Sequence, residues 1–182
     1  MKKLFLISGT SGVGKTTIVY KLLEKMPNLA RLVTYVTRKP RPNEKDGKDY
    51  HFITRKQFEK KLRNGEIFEH DEHYGNYYGN SQKDLETIWK QGKIAVIIIN
   101  VNGVHTIKKK FPEAKSIFIL PDNLENLKRR IRQRAMTEEA FEKRWAQVQK
   151  ELKQSDEHDY KIINTENKLK EAVSEVKEIL QS

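Results

Sequence analysis

The stretch "GTSGVGKT", Gly9 to Thr16, constrains what this chain can fold into more than any other. It fits the pattern G-x-x-x-x-G-K-[ST] in full, directly after the apolar run "KLFLISG" and directly before the helical run "TTIVYKLLEKM". Strand, glycine-rich loop and helix start in that order build a cradle for phosphate. The glycines let successive N–H groups turn inward, and the helix N-terminus adds favourable potential for an anion. The expected ATP-binding set is Gly9, Thr10, Ser11, Gly12, Val13, Gly14, Lys15, Thr16 and Thr17. Lys15 is placed to reach the β and γ phosphates and the Thr16 hydroxyl to ligate Mg²⁺.

The rest of the chain alternates extended and helical runs, which predicts an α/β fold: a P-loop core with a mostly parallel sheet flanked by helices. Expected strands are "RLVTYVTR", "YHFIT", one or two in "EIFEHDEHYGNYYG", "IAVIIIN", "KSIFIL" and "DYKIIN". Thr54 with Gln57 is a capping-box pattern for a helix closed by Gly65, and Ser81 with Asp84 starts another, ended by Gly92. After Pro121 the chain becomes a charged helical segment broken near Ala135 to Thr137, where Thr137 caps the second half. A single domain follows, with a core of about 1–33, 79–123 and 151–182. One inserted piece covers about 34–78, and a helical piece covers about 124–150.

At 182 residues the chain can bury ~70% of its unfolded surface without staples. It has no cysteine, so disulfides and thiolate metal sites are excluded, which suits a cytoplasmic setting. No apolar run approaches the ~20 residues of a membrane span, and glycine arrives too early for a signal peptide. The net charge of +11 favours polyanions in general. Much of it is lysine in helical segments such as "KQFEKKLRNG", so neither a nucleic acid nor a membrane is an expected partner.

Two further stretches carry chemistry. "TYVTRKPRPNEKDGKDYHF" holds Arg38, Arg41 and Tyr50 where they could converge on a second anion, with Glu44 able to orient an arginine. Two guanidinium forks and a phenol suit a phosphate monoester; the same spacing also suits a proline-stiffened loop with solvated arginines. "IFEHDEHYGNYYGN" holds Glu69, whose two oxygens could pair with the N1–H and 2-amino donors of guanine, and Tyr78 at the following turn. His70, Asp71 and His73 do not form a convincing metal set, because neighbours on a strand alternate between faces.

These motifs together resemble guanylate kinases, the family that moves the γ-phosphoryl group of ATP onto GMP. The likeness runs through "ISGTSGVGKT", "VTRKPRPNEKDGKDYHF", "GNYYGN", "LKRRIRQR" and "IIN", nearly the whole chain. It implies a core domain, a GMP-binding region and a mobile lid, with ATP and GMP as the partners and Mg²⁺ accompanying ATP. It also implies that Arg38, Arg41, Tyr50 and Tyr78 hold the GMP phosphate while Thr34 and Glu69 read guanine. Glu44, Asn80 and Asn100 complete that set. Arg130 and Asn164 are placed near the adenine end of ATP, and Lys15, Arg38, Arg134 and Arg144 are the implied catalytic residues. The sequence carries nothing on oligomeric state.

The chain departs from the family's pattern twice. "RAMTEE" replaces the usual R-G-T at the lid hinge, and Ile98 and Asn100 stand where the family commonly has a D-x-D pair at a strand end. Phosphoryl transfer relies on positioning and charge, so lost acids weaken it without abolishing it. On that basis an aspartate at position 100 is expected to raise turnover at low magnesium. Two alternatives stay open: a guanylate-kinase-like module that binds without turnover, and a related small kinase acting on a sugar phosphate.

Overall fold

The computed structural model describes residues 2–73, 75–134 and 137–182, with the backbone alone for Arg134. Five strands form an all-parallel sheet: β1 (Leu4–Gly9), β2 (Leu29–Arg31), β7 (Ile94–Ile98), β8 (Lys115–Pro121) and β9 (Tyr160–Asn164), in the order β2-β7-β1-β8-β9. All six residues of the central strand β1 are buried, as expected of a strand covered on both faces. On one side pack α1 (Lys15–Lys25) and α7 (Leu169–Gln181), through Ile18, Val19 and Leu22 against Val173, Val176 and Leu180. On the other lie α3 (Gln82–Lys90) and α4 (Val101–Lys110), through Leu85, Val104 and Ile107.

A second sheet, ordered β4-β3-β6-β5, is built from β3 (Tyr35–Val36), β4 (His51–Phe52), β5 (Ile67–His73) and β6 (Asn76–Ser81). The run "RLVTYVTR" is thus not one strand. Only its first residue, Arg31, belongs to β2 of the main sheet, and Tyr35 and Val36 pair with Gly79 and Tyr78 in the second. Two separate hydrogen-bonding surfaces compete for a run whose apolar pattern is continuous. Strand β6 continues past residue 78 to Ser81, which caps α3.

The local signals work as their chemistry requires. Thr54 and Gln57 make a reciprocal capping box on α2 (Arg55–Arg63), and Gly65 follows at φ +68°. Asn123 Oδ1 accepts from the Glu125 N–H at 2.7 Å at the start of α5 (Leu124–Arg134). Thr137 Oγ1 accepts from the Ala140 N–H at 3.2 Å and caps α6 (Glu138–Lys153). The break at Ala135 and Met136 lies outside the described residues. Helix α6 continues past residue 150 to Lys153, with Val148 and Glu151 buried near its end.

Candidate active site

The phosphate loop leaves β1 at Gly9, where the chain passes so close to β8 that a Cβ would stand 2.5 Å from the Ile119 carbonyl oxygen. It enters α1 at Gly14, with φ +103°, where a Cβ would stand 2.6 Å from Asn164 Nδ2. Only glycine fits both demands. Asn164, at the end of β9, donates from Nδ2 to the Val13 carbonyl at 2.8 Å and so holds the loop's backbone. Lys15 Nζ lies on the loop itself, 2.6 Å from the Gly9 carbonyl and 2.8 Å from that of Thr10. Thr16 and Thr17 are exposed on the first turn of α1, while the Ser8 and Thr10 hydroxyls are buried without a protein partner.

Between this loop and the second sheet lies a cavity of about 270 Å³. Gly9, Ser11 and Lys15 line one end; Thr34, Arg38, Arg41, Tyr50, Glu69, Tyr78 and Asn80 line the other; Asn100 and Arg144 close its sides. Two of the regions separated in sequence therefore meet at one void. Helix α6 contributes Arg144, Gln147, Val148 and Glu151, the i, i+3, i+4, i+7 face that its period would place on one side.

The anion end is already organised. Arg38 donates from Nη1 and Nη2 to the two Glu44 oxygens at 2.6 and 2.7 Å, and Glu44 also accepts from the Arg41 N–H at 2.8 Å. This fork keeps the Arg38 pKa above its ordinary value, burial opposing, and holds Glu44 below the usual carboxylate range. The Arg38 guanidinium lies 5.0 Å from the centre of the Tyr50 ring, and the Tyr50 and Tyr78 rings meet edge-on at 6.2 Å. Burial pushes the Tyr50 phenol up, so it stays a donor.

Thr34, Asn80 and Glu69 form a chain of directed bonds. Thr34 Oγ1 donates to Asn80 Oδ1 at 3.0 Å, and Asn80 Nδ2 donates to Glu69 Oε2 at 2.7 Å. All three residues are buried. Burial raises the Glu69 carboxyl to about 7, with Asn80 pulling it down and the Asp71 charge adding to the rise. Glu69 Oε1 stands 2.9 Å from where a Cβ would sit on Gly103, so the open first turn of α4 makes room for this acid.

Asn100 is not on a strand. Strand β7 stops at Ile98 and Asn100 is the N-cap of α4, its Oδ1 accepting from the Gly103 N–H at 2.8 Å while its Nδ2 donates to Asp71 Oδ2. The sequence signal was the spacing Asn100-x-x-Gly103 before an apolar-periodic run. Sequence reasoning also passed over Asp71, His73, Gln147 and Glu151 as cavity residues. Alternation along β5 puts Glu69, Asp71 and His73 on one face, a pattern that was legible.

The remaining expected residues lie around the loop. Arg130 on α5 pairs with Glu166 at 3.2 Å and its Cβ is 3.9 Å from the Cβ position of Gly12. Leu127 and Ile131 of the same helix pack with Val13 in the core. The side chain of Arg134 lies outside the described residues. Among the described residues no group of three or more His, Cys, Asp or Glu is gathered to hold a metal. The Thr16 hydroxyl, exposed on the first turn of α1, is an oxygen of the kind Mg²⁺ takes beside waters and phosphate oxygens.

A phosphate loop at the carboxyl end of β1, facing a second anion pocket across one cavity, defines a P-loop phosphotransferase. The guanylate kinase family model matches residues 1–182. A guanylate kinase of Nitrosospira multiformis is 42% identical over 180 residues, spanning 98% of this chain and 85% of the relative. One from Trichormus variabilis is 42% identical over 163 residues, spanning 89% and 82%. The crystal structure of guanylate kinase from Anaplasma phagocytophilum superposes with a TM-score of 0.81 at 32% identity, spanning 98% of this chain and 84% of that one. A shikimate kinase from Bacteroides thetaiotaomicron, 14% identical with a TM-score of 0.54, shares the fold. The chain belongs to the guanylate kinase family.

Proposed function

We propose that this protein transfers the γ-phosphoryl group of ATP to GMP, giving ADP and GDP, in the cytoplasm and with Mg²⁺ accompanying ATP. The observation that carries the reading is the buried Thr34–Asn80–Glu69 chain, which opens into the same cavity as Lys15 and Arg38. A carboxylate held this way accepts from the paired donors of a guanine edge, which adenine lacks. A sugar phosphate would bring no such pair of donors, leaving the buried acid with Asn80 alone.

In the reaction an oxygen of the GMP phosphate attacks the γ-phosphorus in line, and the bond to the β–γ bridging oxygen breaks, leaving on ADP. Arg38, Arg41, Tyr50 and Tyr78 hold the attacking phosphate. The Arg38–Glu44 fork fixes one guanidinium before substrate arrives, so little ordering is left for the reaction step. Lys15 moves from the Gly9 and Thr10 carbonyls onto the β and γ oxygens of ATP. Thr16 would hold Mg²⁺ brought in with ATP, and the ion would supply neutralising charge for the phosphate oxygens. Arg144, presented by α6, and Arg134 at the end of α5 supply further positive charge for the transferring group. The α5–α6 segment, about residues 124–150, acts as the lid that excludes water, and residues 34–78 form the GMP-binding region. Arg130 and Asn164 flank the loop on the adenine side.

The test is initial-rate ADP formation with GMP, AMP, UMP and ribose 5-phosphate as separate acceptors. Turnover confined to GMP supports the reading; equal turnover with the sugar phosphate, or none with any acceptor, would sink it.

A further inference from the structure

The wall that carries Glu69 holds a second carboxylate that the transfer scheme above does not use. Glu69 and Asp71 are two residues apart on β5 and face the same cavity. Each accepts from the amide of one asparagine: Asn80 Nδ2 on Glu69, Asn100 Nδ2 on Asp71. In both cases the amide's orientation is fixed from behind. Thr34 Oγ1 donates to Asn80 Oδ1 at 3.0 Å, and the Gly103 N–H donates to Asn100 Oδ1 at 2.8 Å. A carboxamide whose oxygen is satisfied by a donor must turn its NH₂ outward, so both carboxylates are held by built partners and keep acceptor capacity for a ligand.

The register gives the direction along this wall. Glu69 lies opposite Asn80, and Asp71 lies opposite Tyr78, one step nearer the phosphate-binding groups. Guanine presents three hydrogens there: N1–H and two on the 2-amino group. Glu69 can accept N1–H and the amino hydrogen beside it. The other amino hydrogen points toward the sugar edge, hence toward the phosphate end, the direction in which Asp71 stands. We infer that Asp71, positioned by Asn100, accepts the second hydrogen of the guanine 2-amino group and is a specificity-determining residue for 2-amino purine nucleotides. This supplies from β5 an acid that the end of β7, with Ile98 and Asn100, does not provide.

The inference rests on the proposed guanine reading, and one experiment separates their failures. IMP keeps N1–H and lacks the 2-amino group, so kcat/KM is measured for GMP and for IMP in the wild type, in Asp71→Asn and in Glu69→Gln. The ratio of the two values within one preparation cancels any loss of folded protein. The expected result is a wild-type preference for GMP that Asp71→Asn lowers about tenfold, because the value for GMP falls while that for IMP is little changed. A ratio unchanged in Asp71→Asn but lowered in Glu69→Gln overturns the role of Asp71 and leaves the guanine reading standing. A wild type that uses GMP and IMP equally overturns both.

Discussion

Arg38 and Glu44 meet through two parallel hydrogen bonds of 2.6 and 2.7 Å, with side chains only 13% and 19% exposed. The fork braces the guanidinium proposed above to bind the GMP phosphate. Its bidentate geometry sets the guanidinium plane before the substrate enters.

Glu44→Ala leaves Arg38 without this partner in a half-buried setting. The expected outcome is a KM for GMP raised about tenfold, with stability lowered by about 1–3 kcal/mol. Steady-state kinetics and thermal melting check both. A KM within twofold of the wild type would show that Arg38 needs no such brace.

Glu69 makes a pH prediction with the opposite sign to a salt-bridged acid. Burial raises its carboxyl from 4.5 to about 7, so between those values the folded state holds a proton that the unfolded state has lost. Stability therefore falls as pH rises through this window and levels above it, by up to ~3 kcal/mol in total. Glu69→Gln should flatten that segment of the stability curve in denaturant titrations. Guanine donors favour the ionised acid, so GMP binding at pH 6 should release more protons in the wild type than in Glu69→Gln, the GMP phosphate contributing alike to both. Calorimetry in two buffers of different ionisation heat reads this directly.

Asn100→Asp keeps the helix cap, since aspartate caps as well as asparagine. It removes the amide that donates to Asp71 and sets two carboxylates side by side. A lower kcat/KM for GMP, by about tenfold, is expected, reversing the gain anticipated from position 100 alone. The exchanged pair Asp71→Asn with Asn100→Asp should recover part of the loss, because it restores one acid and one amide. An improved single variant would contradict this account of the pair.

Lys15→Met should lower kcat by about 10²–10³, the range for removing one preorganised donor at a transition state, while the melting temperature shifts little. A kcat within tenfold of the wild type would mean that Lys15 does not reach the transferring group.

Thr54→Ala offers a control away from the cavity. It removes the hydroxyl that accepts from the Gln57 N–H, leaves the Thr54 N–H on the Gln57 side chain, and should cost about 1 kcal/mol without changing kcat. A kinetic effect larger than the loss of folded protein would place α2 in the catalytic machinery.

What was legible in the sequence was what local chemistry fixes. The phosphate loop declares itself because only glycine tolerates the approaches at Gly9 and Gly14, and the caps at Thr54, Ser81 and Thr137 act on neighbours three residues away. Less legible was anything decided between distant strands. The apolar run around Leu32 gives no sign that β2 and β3 join different sheets, because both sheets accept the same residue types. Asn100 looked like a strand end because Ile97 to Ile99 continue the apolar run, whereas its side chain had already been taken by the α4 cap. Asp71 was hidden among histidines and acids that were weighed only as a metal set and set aside. Its partner lies 29 residues away, and only the folded chain brings them together.

The central claim is that this cavity joins the phosphate of ATP to the phosphate of GMP. The most direct measurement follows ATP labelled at the γ-phosphorus, incubated with GMP and Mg²⁺, and locates the label in the products. The account predicts label in the β-phosphoryl group of GDP, formed in step with ADP. Label appearing only in inorganic phosphate, at a rate indifferent to GMP, would contradict it.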